Sequence, residues 1–219
     1  MKNMKTKIPF LITLALLFLP LTALAQEDFK LGGNYMELPA PATRINPDDA
    51  RLEVTLFLWY GCGACSLVDP IFEAWAEEQP EDVATRVLPT TWVEPWNMHA
   101  RIFMTLEEMG LEKDLHRKVF ETFKTREGMP RSEDDLPAFA KAMGLDPETF
   151  MKTYKSKEVS GRMEWLDGIL KVYNPDAVPA IVVDGRYLTN LGLVEDPSRF
   201  MELTGQLVEK VRQEKAAEK

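Results

Sequence analysis

In the segment Val54-Thr55-Leu56-Phe57-Leu58-Trp59-Tyr60-Gly61-Cys62-Gly63-Ala64-Cys65 an apolar run ends at a pair of cysteines. Leu52 to Tyr60 is apolar on both parities, Val54, Leu56 and Leu58 against Phe57 and Trp59, as expected of a central strand covered on both faces. After the pair, Leu67, Val68, Ile71, Phe72 and Trp75 recur at helical spacing as far as Glu78. A strand that delivers Cys-x-x-Cys to the first turn of a helix suits dithiol redox chemistry, because free N–H groups and the positive end of the helix dipole stabilise a thiolate. Cys62 is the candidate nucleophile and Cys65 its resolving partner, and the chain has no other cysteine.

Two other readings of the pair are weaker. A structural zinc site needs about four ligands, and the only histidines, His99 and His116, stand at no ligand spacing from the cysteines. A purely structural disulfide would close almost no loop and remove little unfolded-state entropy. Neither a Gly-rich phosphate loop nor a ligand cluster points to a nucleotide, flavin or metal, so no cofactor is expected. His99 and His116 read as surface or core-edge side chains. Trp59, Trp92 and Trp96 read as core, with the lining of a peptide groove as the alternative.

Lys2, Lys5 and Lys7 precede an apolar run, Ile8 to Leu24, that is broken by Pro20 and ends in Ala23-Leu24-Ala25. That is a charged n-region, an h-region and a small-x-small cleavage site, so residues 1–25 are expected to be a signal peptide removed before Gln26. An uncleaved membrane anchor is the alternative. Export allows the cysteine pair to work as an oxidant, since disulfides persist outside the cytosol. Ala216-Ala217-Glu218-Lys219 carries no ER-retention signal, which favours a bacterial periplasm. Loss of three lysines and no acid takes the formal net charge from −9 to −12. That charge argues against nucleic acid or anionic lipid as a partner.

Between Tyr35 and Leu38 one edge strand is expected, followed by a loop holding Pro39, Pro41 and Pro47. Val83 to Leu88 is a second strand, which makes a βαβ unit with the cysteines at the carboxyl end of its first strand. Pro70 interrupts the hydrogen bonding of the helix between them. The next residues are helical. One helix opens at Pro95 and closes at Gly110, and Leu111, Leu115, Val119 and Phe123 form the stripe of another. A capping box at Ser132 to Asp135 starts a third helix, Asp146-Pro147 starts a fourth, and Val159, Met163, Leu166 and Leu170 mark a fifth. Ala180 to Val183 and Arg186 to Leu188 then form a hairpin about Asp184-Gly185, and Asp196-Pro197 starts a terminal helix. The expected product is one split α/β domain with a helical insertion.

Two motifs resemble a known family. Cys62-Gly63-Ala64-Cys65 at a strand-to-helix junction, and Val178-Pro179 leading a hairpin that reads Val-Pro-Ala-Ile-Val-Val-Asp-Gly-Arg-Tyr, resemble the thioredoxin fold and specifically the DsbA-like thiol:disulfide oxidoreductases. The resemblance implies an α/β thioredoxin fold whose parts are residues 26–91 and 174–219, with a helical subdomain inserted at 92–173. It also implies a cis peptide before Pro179 that sets the Val178 backbone beside the disulfide, where an extended substrate can add as a strand. Gly63 and Ala64 belong to the same substrate-binding rim. Val178 resembles the DsbA-type oxidant, because thioredoxins and isomerases usually have Thr there.

The sequence departs from the family twice. Gly63-Ala64 replaces the usual Pro-His, so no imidazole lies between the cysteines. Leu56 stands where many members have a buried Glu that relays protons, and Glu53, three residues further back, points to the opposite face of the strand.

The function implied is that of a monomeric periplasmic oxidase, acting on unfolded exported proteins with free cysteines and reoxidised by a quinone-linked membrane partner of the DsbB type. Two alternatives stay open. One is a reductase or isomerase with the same chemistry, and the other is a peptide-binding chaperone whose disulfide is incidental.

Overall fold

The computed structural model describes residues 29–39, 44–125 and 127–218. The expected signal peptide, residues 1–25, and Pro41 lie outside the described residues. The strands are β1 (Met36–Glu37), β2 (Leu52–Leu58), β3 (Val83–Pro89), β4 (Ala180–Val183) and β5 (Tyr187–Asn190). The helices are α1 (Gly63–Glu77), α2 (Trp96–Glu108), α3 (Glu112–Phe123), α4 (Leu136–Met143), α5 (Pro147–Tyr154), α6 (Lys157–Tyr173), α7 (Leu191–Val194) and α8 (Pro197–Ala217). A short 3-10 turn, Glu133–Asp135, leads into α4.

The five strands form one sheet in the order β1-β5-β4-β2-β3. β2 runs parallel to β3, from Leu52 opposite Val83 to Leu58 opposite Pro89, and antiparallel to β4, from Val54 opposite Val183 to Phe57 opposite Ala180. Every residue of β2 is buried, the burial that its double-parity pattern requires. A parallel neighbour needs a crossover between the strands, and α1 supplies it, running on through Pro70. α8 packs on β2 and β4 and against α1, while α2 packs on β3 and α6. Tyr173, at the end of α6, meets Phe57 of β2 edge-on with ring centroids 6.0 Å apart.

Local chemistry explains where the elements stop. Asp184 and Gly185 take φ of 49° and 66°, the pair of left-handed residues that matches the twist of a tight hairpin. Arg186 is spent on the turn, its N–H donating to Val183 O at 2.9 Å. The return strand therefore runs Tyr187–Asn190 instead of Arg186 to Leu188. Asn190 then caps a helix that apolar periodicity does not reveal, its side chain accepting from Leu193 N–H at 3.1 Å to start α7. On α3 the buried face is His116, Val119, Phe120 and Phe123. Leu111 and Leu115, expected on that stripe, are only half-buried, because the face turned to α2 and α4 is rotated by about one residue.

Phe57 is fully buried, its ring against Tyr173 of α6. Phe57→Ala should therefore cost about 3–5 kcal/mol through lost burial and the cavity left behind. The check is the urea midpoint at constant m-value.

Candidate active site

β2 ends at Leu58, and α1 begins five residues later with Cys62 as its N-cap. The cap takes extended backbone angles, φ −92° and ψ 115°. Its sulfur fills the role usually taken by a Ser or Asp oxygen, accepting the Cys65 backbone N–H at 3.1 Å. Cys62 is partly exposed and Cys65 only 1% exposed. The hydrogen bond with the Cys65 thiol, followed by those with the Cys65 and Ala64 backbone, outweighs burial and brings the Cys62 thiol down to about 7. Burial, aided by the thiol–thiol hydrogen bond, pushes the Cys65 thiol far up.

The fold brings Val178 and Pro179 to the same point from the other end of the chain. The Val178-Pro179 peptide is cis, and the Val178 carbonyl lies 3.8 Å from the Cys62 sulfur, which donates to it. Pro179 is buried, Val178 half-buried, and Gly63 and Ala64 exposed and half-exposed on the helix tip. A Cβ added at Gly63 would meet no atom within 4 Å, so the helix tip is open beside Gly63. Leu67 and Trp92 also present apolar surface, at 66% and 38% exposure. Trp92 stacks on Trp96, and Trp96 stacks on Trp59 with ring centroids 4.3 Å apart. The three indoles thus run from half-buried to exposed.

The two histidines are not at the surface or the edge of the core as expected, but inside it. Trp59 Nε1–H donates to His99 Nδ1 at 2.9 Å, which leaves His99 Nε2–H to donate to Pro130 O at 2.8 Å. Burial pushes the His99 pKa down, and the ring is neutral. His116 is 4% exposed. Its Nε2 lies 3.0 Å from Asp69 Oδ1, and its Nδ1 lies 2.8 Å from Glu112 Oε1 and 2.9 Å from the Tyr60 hydroxyl. Burial alone would lower its pKa, but the hydrogen bonds to Asp69 and Glu112 prevail and raise it to about 9. Asp69 was absent from the sequence reading. The signal for it was a charged residue on the apolar face of α1, and nothing local could name a partner 47 residues away.

Glu53 is spoken for as well. Its two carboxylate oxygens accept the backbone N–H groups of Ile45 and Asn46 at 2.8 and 2.6 Å. Leu56, on the other face of β2, is fully buried.

Among the described residues no group of three or more His, Cys, Asp or Glu side chains could hold a metal ion. The geometry is that of a dithiol with one partly exposed sulfur, its pKa lowered, and one buried sulfur, beside the half-buried Val178 carbonyl. No family model matches the chain. Among curated proteins, the thiol:disulfide interchange protein DsbA of Pseudomonas aeruginosa is 34% identical over 186 residues, covering 85% of this chain and 87% of the relative.

This chain belongs to the DsbA family.

DsbA of Azotobacter vinelandii is 32% identical over 190 residues, covering 87% of this chain and 88% of that protein. The crystal structure of Pseudomonas aeruginosa DsbA superposes with a TM-score of 0.78 at 34% identity, over 87% of this chain and 97% of that one. The oxidoreductase DsbA from Xylella fastidiosa gives 0.76 at 26% identity, over 84% and 98%. The protein is a thiol:disulfide oxidoreductase with the thioredoxin fold and helical insertion of DsbA.

Alkylation of the reduced DsbA-family protein should modify Cys62 and spare Cys65, at a rate that climbs through pH about 7 as the thiolate forms. Mass mapping of the labelled peptide gives the site, and preferential labelling of Cys65 would reverse the assignment. A second expectation concerns stability. Because the folded His116 pKa of about 9 lies above its ordinary 6.5, its contribution is complete below about 6.5 and is lost as pH rises through about 9. Urea unfolding should show that loss in the wild type and lack it in His116→Gln.

Proposed function

We propose that this enzyme is exported to the periplasm, loses its signal peptide after Ala25, and introduces disulfide bonds into unfolded exported proteins through Cys62 and Cys65. In the oxidised enzyme a substrate thiolate attacks the Cys62 sulfur. The Cys62–Cys65 bond breaks and Cys65 leaves with the electron pair and gains a proton. A second substrate thiolate then attacks the substrate sulfur of the mixed disulfide, releasing oxidised substrate and the reduced dithiol. Two electrons pass from substrate to enzyme, and a quinone-linked membrane reoxidase of the DsbB type takes them on. The enzyme needs no cofactor of its own and acts as a monomer.

The observation that carries the exchange chemistry is the Cys62 sulfur at a helix N-cap, its thiol lowered to about 7 beside the Val178 carbonyl, and the direction from substrate to enzyme rests on the likeness to DsbA. A stabilised thiolate stabilises the reduced form, and each pKa unit is worth about 1.4 kcal/mol, or about 30 mV for a two-electron couple, when the pH exceeds both pKa values. The Val178 backbone, with Gly63 and Ala64 across from it, offers an edge on which an extended substrate can pair as an added strand.

Stoichiometric oxidised enzyme, with no other oxidant, should restore activity to a reduced, disulfide-requiring protein. A reductase or isomerase would leave it inactive, and a chaperone would act equally well without cysteines. In cells, Cys65→Ser should accumulate mixed disulfides with exported proteins, because Cys65 can no longer release a trapped partner from Cys62. Cys62→Ser should trap few, and equal trapping by both variants would overturn the division of roles.

A further inference from the structure

Cys65 is 1% exposed, yet its sulfur must change protonation in every cycle. When the disulfide opens, the departing Cys65 thiolate has to gain a proton, and when Cys65 attacks a mixed disulfide it has to lose one. An uncompensated charge in so dry a place is costly, so the proton must pass through protein groups. The strand beneath offers none, since Leu56 and Leu58 of β2 are fully buried and apolar and Glu53 is tied to two backbone amides.

The helix offers one. Asp69 lies four residues after Cys65, one turn along α1 on the same buried face, and is itself 1% exposed. Its Oδ1 accepts from His116 Nε2–H at 3.0 Å, while its Oδ2 is buried with no hydrogen-bond partner. Buried carboxylate oxygens are nearly always satisfied, so an open one a single turn from a buried thiol needs an explanation. Beyond Asp69 the contacts continue outward. His116 Nδ1 lies 2.8 Å from Glu112 Oε1, and Glu112, 17% exposed, lines an open cavity of about 470 Å³.

We propose that Asp69 exchanges the proton of Cys65, and that His116 and Glu112 connect Asp69 to solvent in that cavity. The exchange deepens the function proposed above and rests on it. On opening of the disulfide, Cys65 thiolate takes a proton from the Asp69–His116 pair, Asp69 Oδ2 being the donor atom. Asp69 is left as carboxylate and His116 as neutral imidazole with its remaining proton on Nδ1, and a ring flip turns the bare nitrogen to Glu112, through which it regains a proton from water. When Cys65 attacks, each transfer runs backward, so no proton is created or lost. Asp69 from α1 and Glu112 on its own helix set the charge of His116, Tyr60 after β2 touches the ring, and Glu73 and Glu77 of α1, Arg86 of β3, Glu107 of α2 and Lys113 of α3 line the cavity beside it. A pKa of about 9 keeps His116 charged, and so able to donate, at neutral pH.

The test is the oxidation of the reduced, full mature protein by oxidised glutathione in a stopped-flow experiment across pH 5–9. At low glutathione the rate reports attack by Cys62, and its plateau at high glutathione reports attack by Cys65. Asp69→Asn should lower the plateau at least about tenfold near neutral pH and make it rise about tenfold per pH unit, with the low-glutathione slope unchanged. Asp69→Glu should restore most of the plateau. His116→Gln and Glu112→Gln should each lower it, and these two carry the test if Asp69→Asn does not fold. A folded Asp69→Asn with a wild-type plateau and pH profile overturns the proposal, as do unchanged plateaus in both other variants. A wild type whose Cys62 slope is itself absent would instead overturn the exchange function.

Discussion

A sulfur atom at the N-cap of α1 is the contact on which the chemistry of this molecule depends. One hydrogen bond, from the Cys65 N–H to the Cys62 sulfur at 3.1 Å, both starts the helix and steadies the thiolate. The same bond thus caps the helix and helps lower the Cys62 thiol. The bond exists because β2, buried on both faces, ends where the chain must turn back over the sheet. The turn leaves the first residues of α1 at its rim, facing solvent. The second cysteine, one turn in, follows the helix into the core, so the two sulfurs differ by position alone.

The sheet order then decides what faces the dithiol. β4 pairs with β2 on the side away from β3, so the residues entering β4, Val178 and Pro179, arrive beside the helix tip that leaves β2. A contact across 116 residues, Cys62 to Val178, is set by strand pairing far from the cysteines. The inserted helices join the site from below. His116 of α3 reaches Asp69 of α1 and Tyr60 after β2, and His99 of α2 ties Trp59 to the Pro130 carbonyl. Burying charges such as Asp69 and His116 costs desolvation that good hydrogen bonds must offset. Three of the four contact atoms of the pair are matched, and the fourth, Asp69 Oδ2, is buried without a hydrogen-bond partner.

The two departures from the usual DsbA pattern are visible in this arrangement. With Ala64 between the cysteines, the Cys62 thiolate draws on the thiol of Cys65 and on backbone N–H groups instead of an imidazole. With Leu56 in the strand, the buried carboxylate felt at Cys65 is Asp69, which lies on α1.

What the sequence determined by itself is what short-range physics encodes. The double-parity run of β2, the Cys-x-x-Cys at a helix start and the Asp184-Gly185 turn each state their structure within a dozen residues, and with Val178-Pro179 they were enough to find the fold and the dithiol. Element edges moved where one side chain or turn residue decides them, as at Arg186, which serves the hairpin turn, and Asn190, which caps α7. His99 and His116 were misplaced, and Asp69 was overlooked, for a different reason. A polar side chain on an apolar face is tolerable only with a partner, and, Glu112 of α3 apart, those partners lie 31 to 56 residues away on other elements. Only the packing of α2 and α3 against α1 and β2 brings them together, and the cost of leaving a buried charge unpaired makes that packing specific.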